Sequence, residues 1–365
     1  MKQIFFILGL IVLLACNKSD ADPDNPETEQ TLYFPPTNSG NWETTSPESL
    51  DWNIAALNEL KTFLSDNGTR AFIILKDGKI VVEEYWGKTI LNTEDFNSDA
   101  TWYWASAGKT LTAFLVGLAQ EQGLLNITNK TSDYLGKTWS GLPEEKEDLI
   151  QVKHHLCMTT GLDYGVSNPD CTTPECLQYK ADAGTQWYYH NAPYTLLEEV
   201  VSTVSNQSYN AFTDENIEQT TGMNGSWINL GDNNVYWSTA RDAARFGLLL
   251  LNKGSWDKTE IMHDTTYFHS MVNSSQSLNP SYGYLCWLNG KTSIIVPGLP
   301  NSFPVSLSAN APADLFAAMG KNGQFIEVVP GQNLVVIRMG EAPDNSMVPV
   351  VFHNDMWAKI NAVIN

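Results

Sequence analysis

The stretch Trp104-Ala105-Ser106-Ala107-Gly108-Lys109-Thr110-Leu111-Thr112-Ala113-Phe114-Leu115 decides how the rest of the chain is read. Ser106 is followed three residues on by Lys109, and an apolar-periodic run begins at once. Residues three apart on a helix share a face, about one turn from each other. The hydroxyl and the amine therefore stand side by side at a helix start, where free N–H groups and the macrodipole favour negative charge. Leu111, Phe114, Leu115 and Leu118 lie at helical spacing, so this helix is expected deep in the core, with Gly123 as its stop. Burial disfavours an ammonium and lowers a lysine pKa, which a general base at neutral pH requires. The pair suits a serine nucleophile with lysine as its base. The plainer alternative is an N-cap serine with a first-turn lysine. That alternative has to explain a cation at the helix end where the dipole disfavours it.

The same spacing occurs once more, at Ser255 and Lys258. There it lies in Lys253-Gly254-Ser255-Trp256-Asp257-Lys258, a polar turn after a helix, where a lysine is solvated and charged. Two other short patterns can serve the first pair. Tyr189-His190-Asn191 is the only Tyr-x-Asn in the chain. A tyrosine oxygen can relay a proton between nucleophile and leaving group, and an asparagine amide can bind a substrate carbonyl. Taken alone, it is equally an aromatic core loop. Lys321-Asn322-Gly323 opens a strand-like segment. An edge strand beside a nucleophile can pair with an extended substrate, and its N–H groups can polarise a carbonyl.

Working outward, Ile54, Leu57, Leu60, Phe63 and Leu64 mark a helical face that ends at Asn67-Gly68. Ala71–Leu75 and Ile80–Tyr85 are apolar runs joined by Lys76-Asp77-Gly78-Lys79, the signature of a hairpin with an Asp-Gly turn. Thr195–Val204 and Thr239–Leu251 read as further helices. Strand signals return at Leu315–Met319, Gln324–Val329 and Leu334–Met339, and Asp355–Ile364 reads as a closing amphipathic helix. Strands at both ends with helices between them predict an α+β fold. One antiparallel sheet is flanked by helices, a mainly helical lobe covers roughly 110–236, and a cleft lies between them.

The N-terminus reads as a targeting segment. Met1-Lys2-Gln3 is a basic start, and Ile4–Ala15 is apolar over a signal-peptide length, too short to span a bilayer comfortably. Leu13-Leu14-Ala15-Cys16 resembles a bacterial lipobox, which implies lipidation at Cys16. Residues 1–16 are then a lipoprotein signal peptide, 17–48 an Asp-, Asn-, Thr- and Pro-rich flexible tether, and 49–365 one domain. That predicts a periplasmic or surface lipoprotein of the bacterial envelope, touching the membrane through its anchor alone. An oxidising compartment favours a local disulfide between Cys171 and Cys176, which bracket Thr-Thr-Pro-Glu, and leaves Cys157 and Cys286 as buried thiols. The net charge of −20 argues against nucleic acid as a partner. No Cys or His spacing suits a metal, and no cofactor is implied.

In combination, Ser-x-x-Lys on a helix, then Tyr-x-Asn, then Lys-x-Gly late in the chain resembles the serine beta-lactamase and penicillin-binding-protein superfamily. The chain is most similar to the class C beta-lactamase-related hydrolases, a branch with esterases and 6-aminohexanoate-oligomer hydrolases. His154-His155-Leu156-Cys157-Met158-Thr159-Thr160-Gly161-Leu162, Ser238–Gly247, and Asp314–Gly320 running into Gly323-Gln324 carry the resemblance beyond the motifs. It covers roughly residues 50–365.

The resemblance implies roles. Ser106 would be the acylated nucleophile and Lys109 its base, with Tyr189 as acid–base partner. Asn191, Lys321, Asn322 and Gly323 would bind substrate. The N–H groups of Ser106 and Gln324 would form the oxyanion hole. Asn322 stands where beta-lactamases carry a small hydroxyl residue, which argues against strong beta-lactam turnover. His190 replaces a small residue and narrows the cleft. The expectation is an extracytoplasmic serine hydrolase that cleaves a small ester or amide, or a peptide, through an acyl-enzyme. A DD-peptidase acting on peptidoglycan peptides and an inactive binding lipoprotein are the alternatives.

Overall fold

The computed structural model describes residues 32–364, and a compact body begins at Leu32. The expected signal peptide and the lipidation site Cys16 lie outside the described residues. Helix α1 (Ile54–Asp66) is capped by the Asn53 side chain, which accepts from the Ala56 N–H, and it buries Leu57, Leu60 and Leu64. Strands β1 (Thr69–Lys76) and β2 (Lys79–Tyr85) form the expected hairpin. Asp77 (φ 53°) and Gly78 (φ 83°) both take the left-handed conformation that a two-residue turn demands.

A short strand β3 (Trp102–Tyr103) leads into α2 (Gly108–Glu121). The lobe follows, with the short helices α3 (Ser132–Leu135), α4 (Glu144–Glu147) and α5 (Val152–Leu156). It continues through the longer α6 (Asn191–Ser205) to the short α7 (Tyr209–Thr213) and α8 (Gln219–Thr221). Strands β4 (Ser226–Leu230) and β5 (Asn233–Ser238) come next, then α9 (Ala240–Leu251), with Thr239 and Asp242 forming a capping box. A small hairpin, β6 (Ser255–Trp256) with β7 (Thr259–Glu260), and α10 (Thr265–Met271) precede the last strands. These are β8 (Trp287–Leu288), β9 (Phe316–Gly320), β10 (Gln324–Val329) and β11 (Leu334–Gly340), followed by the closing α11 (Val350–Ile364).

The main sheet is antiparallel in the order β2-β1-β11-β10-β9-β8. Ile73 pairs with Ile337, so the first and last strands of the fold are neighbours. β10 and β11 are buried along their whole length because helices cover both faces. On one face Phe352 of α11 stacks between Phe63 of α1 and Phe325 of β10. On the other, Gly247 lets α9 approach so closely that a Cβ there would lie 2.4 Å from Val335. Trp139, Ile150, Leu162, Leu177, Ala192 and Leu196 form a separate small core inside the lobe.

Two boundaries differ from expectation. Residues 32–48, expected to be part of the tether, are packed on the body. Tyr33 N donates to Asp77 O, Thr44 bridges Ile80, and Arg241 and Arg245 hold the carbonyls of Gly40 and Pro36. The outer edge of β2 supplies the unpaired backbone groups that order this segment. The region near 226–236, expected within a helical lobe, is instead a hairpin that joins β3 in a three-stranded sheet, β3-β5-β4. Gly231-Asp232 at its turn and the flanking alternation in Trp227-Ile228 and Val235-Tyr236 are hairpin signals.

Candidate active site

The nucleophile candidate sits where β3 gives way to α2. Ala105, between them, has φ 48°, a left-handed conformation that costs a residue with a Cβ about 1–3 kcal/mol. A single 3₁₀ turn, Ala105–Ala107, then carries Ser106 into the helix. From the other side β9 ends at Gly320. A Cβ at Gly320 would lie 2.5 Å from Trp104 O and 3.0 Å from Ser106 N and Ala107 N. Only glycine lets the end of this strand lie against the nucleophile's backbone.

α2 is buried all round from Gly108 to Ala119, and Lys109 is 2% exposed. Its Nζ lies 2.9 Å from Ser106 Oγ and donates to it. The Tyr194 ring covers the amine at 3.9 Å, and the Tyr189 ring stands at 5.1 Å. Burial drives the Lys109 pKa down to about 7, with the Asp170 and Glu198 carboxyls opposing the shift. Near neutrality, then, a large fraction of this amine is unprotonated and faces a serine hydroxyl.

Tyr189 is fixed by aromatic packing, stacked on Trp287 at 5.7 Å with Tyr282 at its edge. Its buried hydroxyl has no hydrogen-bond partner among the described residues. Burial raises its pKa and the neighbouring Ser106 hydroxyl partly offsets this, so the phenol holds its proton at neutral pH. Asn191 opens α6, and its Nδ2 donates to Asp170 Oδ1 at 2.7 Å while its Oδ1 has no partner among the described residues. His190 is also buried, and desolvation lowers its pKa to about 4, which keeps it neutral. Ser106, Lys109, Tyr189, His190, Asn191 and Lys321 all line one cavity of about 430 Å3. Leu230, Val235, Met347 and Val348 form its apolar side.

The rest of the third pattern departs from expectation. Asn322 (φ 65°) and Gly323 (φ 74°) turn away from the cavity. Asn322 Nδ2 donates to the Tyr103 hydroxyl, and both carbonyls accept from Arg338 Nη1. They shape the turn and do not line the site. Gln324 pairs with Gly320 across this three-residue loop, so its N–H is directed into the hairpin and away from the nucleophile. Its carboxamide is also committed, to Gly340 and the loop carbonyls. The placement of Lys321 N–H follows from the ladder. Asn289 N donates to Leu315 O, so odd-numbered residues of this strand turn their backbone groups toward β8 and even-numbered ones toward β10. β8 pairs only with Phe316 and Ala317. The planar peptide after Gly320 therefore aims the Lys321 N–H at an edge that β8 leaves open beside Ser106.

Several residues of the site escaped the sequence reading. Asp170 orients Asn191, Tyr194 roofs Lys109, and Arg338 braces the Lys321–Gly323 turn. Tyr194 lay at i+3 from Asn191, which is a legible signal; Asp170 is brought in by a loop and had none. Asp170 immediately precedes Cys171, whose disulfide to Cys176 is present. Among the described residues Cys157 and Cys286 are free and buried. The other Ser-x-x-Lys pair lies in the β6–β7 hairpin with Lys258 exposed, outside the cavity.

A family model described as Beta-lactamase matches residues 67–347. An uncharacterized protein of Alkalihalophilus pseudofirmus is 24% identical over 323 residues, 80% of this chain and 89% of its own length. Among solved structures, a Bacillus anthracis protein named as a 6-aminohexanoate-dimer hydrolase superposes with a TM-score of 0.68 at 18% identity. It covers 90% of this chain and 88% of its own. A penicillin-binding-protein homologue from Caulobacter crescentus gives 0.65 at 14% identity over 84% and 96%. With most of its length inside the matched model and this fold around Ser106 and Lys109, the chain belongs to the beta-lactamase family, in the serine beta-lactamase and penicillin-binding-protein superfamily.

Proposed function

We propose that the protein is an extracytoplasmic serine hydrolase, tethered through lipid on Cys16, that cleaves an ester or amide bond by way of an acyl-enzyme on Ser106. The observation that carries this is the 2.9 Å contact between Ser106 Oγ and a buried lysine whose pKa is lowered to about 7. In acylation the neutral Lys109 amine takes the Ser106 proton as Oγ attacks the substrate carbonyl. The Ser106 and Lys321 N–H groups stabilise the oxyanion, Lys321 taking the place first assigned to Gln324. The Tyr189 phenol gives its proton to the departing alkoxide or amine and regains one from the Lys109 ammonium. Water then attacks the Ser106 ester, assisted by the same pair, and releases the acid. Asn191, held by Asp170, orients the substrate carbonyl.

An uncharged acyl group is supported by the apolar side of the cavity, and on this reading small esters and amides come ahead of other substrates. The rim position of Lys321 favours a carboxylate-bearing substrate and keeps the DD-peptidase reading as the second one. A panel of p-nitrophenyl esters, nitrocefin and D-Ala-D-Ala peptides tests the assignment. Ester or amide turnover that is lost in Ser106→Ala supports it. Release of D-Ala without ester turnover selects the peptidase, and no turnover of any of them removes the hydrolase reading for these classes.

A further inference from the structure

Two large side chains at the wall of the active-site cavity pack into neither the main core nor the small core of the lobe. Tyr164 and Tyr188 are half-buried and line the same cavity as Ser106 and Lys109. Their rings lie face to face, with centroids 3.4 Å apart and planes 8° from parallel. The backbone on both sides sets this overlap. Tyr188 N donates to Met158 O, and Lys180 N donates to Gly161 O beside a bridge between Leu162 and Tyr179. Two π quadrupoles in full overlap repel, and a free pair would slide to an offset or edge-on arrangement. A cation on the outer face of the pair relieves that repulsion. Lys180 Nζ lies 4.3 Å from the Tyr164 centroid, held there by Asp163 at 2.8 Å. Gln186 Nε2 donates to the Tyr164 hydroxyl and fixes the far end of that ring.

The result is a layered stack with one end open. Planes 3.4 Å apart leave no room for an ammonium between them, so Lys180 covers one face of Tyr164 and Tyr188 covers the other. Among the described residues no further ring or cation meets the second face of Tyr188. Its neighbours in sequence behave differently. Trp187 and Tyr189 each meet several ring partners inside the core. Leu230 and Met347, both exposed, and Val235 share the cavity with the stack, and they too lie outside both cores. Apolar groups left at a cavity wall without a packing duty point to the apolar part of a ligand. The shape of that part follows from Tyr188. A flat ring continues the stack over its whole area, whereas a puckered ring or a branched chain touches it through a few hydrogens. A sugar would bring hydroxyls against Leu230, Val235 and Met347, which offer them no hydrogen bond.

Resting on the assignment of Ser106 as the nucleophile, we propose that Tyr188, backed by Tyr164 and Lys180, is a stacking platform that selects substrates carrying a flat aromatic ring close to the scissile bond. The substrate class narrows to aryl and arylalkyl esters and amides. No bond forms to either tyrosine; stacking of the ring holds the substrate while Ser106 reacts.

The test is the rate at which Ser106 of the full chain is phosphonylated by two fluorophosphonates alike in all but one group, benzyl in one and cyclohexylmethyl in the other. The two groups are close in size and apolarity, so the ratio of the rates isolates the flat ring. Intact mass follows the labelling. In wild type the benzyl reagent should react about 5-fold faster. In Tyr188→Leu, which keeps an apolar side chain and loses the ring, the ratio should fall below about two-fold. A purely structural role for Tyr188 would lower both rates together and leave the ratio at its wild-type value, which overturns the proposal. Equal rates in wild type overturn it as well. If Tyr188→Leu does not fold, Tyr164→Leu removes the layer behind the platform and should lower the ratio likewise; an unchanged ratio there overturns the proposal. Absence of any Ser106 adduct with either reagent is a different result and removes the parent assignment, and the platform with it.

Discussion

Lys109 and Arg338 are both buried basic groups, one beside Ser106 and one bracing the Lys321–Gly323 turn, and they are built in opposite ways. Arg338 is fully enclosed, yet its guanidinium donates to the carbonyls of Asn67, Asn322, Gly323 and Glu341 and to Thr69 Oγ1. Among the described residues Lys109 Nζ makes a single hydrogen bond, to Ser106. Desolvation lowers both pKa values, to about 9 for the arginine and about 7 for the lysine. From its far higher starting point the arginine still holds its charge at neutral pH, and the lysine does not. The contrast is between a cation satisfied by the fold and an amine left under-satisfied, and only the second can take a proton from a neighbour. Structure and chemistry divide along that line.

The strongest way to break this comparison is to remove Lys109. Lys109→Met should lower the acylation rate by at least about 10³-fold while the melting temperature holds or rises by a few degrees, because an unfavourable buried amine is gone. Labelling kinetics beside a thermal melt will show it; retained labelling, or collapse of the fold, contradicts the contrast. Arg338→Met is the mirror experiment. It strands several buried carbonyls, so the melting temperature should fall by roughly 10 °C, with residual labelling per folded molecule. A wild-type melt would show that those carbonyls do not need the guanidinium.

The remaining outcomes sharpen the picture. Acylation of the wild-type protein should rise with pH through about 7 and level off above it, since the base must be unprotonated. Two pH units below the midpoint the rate should be about 100-fold under the plateau. A flat profile from pH 5 to 9 excludes Lys109 as the base. Asp170→Asn removes the charged anchor of Asn191 and should raise KM about 5-fold, read from ester saturation curves. Lys258→Ala should change neither activity nor melt beyond about 0.5 kcal/mol.

The main sheet and its helices were legible because each element announces itself locally. The Asp-Gly turn, the alternation from apolar runs to polar turns, and the helical spacing after Ser106 need no knowledge of distant contacts. Ser106, Lys109, Tyr189, Asn191 and Lys321 do meet at one cavity. What stayed hidden depends on tertiary placement. A three-residue hairpin loop fixes which N–H is turned toward the Ser106 side, and spacing alone could not say that it is that of Lys321 and not that of Gln324. Asn322 and Gly323 share a motif with Lys321, but their left-handed backbone and Arg338 turn them inward. Residues 32–48 carry a tether's composition, yet Leu32, Phe34 and Trp42 pack against the body and hold the segment.

The central claim is that Lys109 activates Ser106. It is tested most directly by treating the protein with a fluorophosphonate, measuring the intact mass and mapping the modified peptide, in wild type and in Lys109→Met. One adduct per chain is expected, on Ser106, formed in wild type with an acid limb near pH 7 and lost in the variant. An adduct on another residue, or one on Ser106 that forms as fast without Lys109, contradicts it.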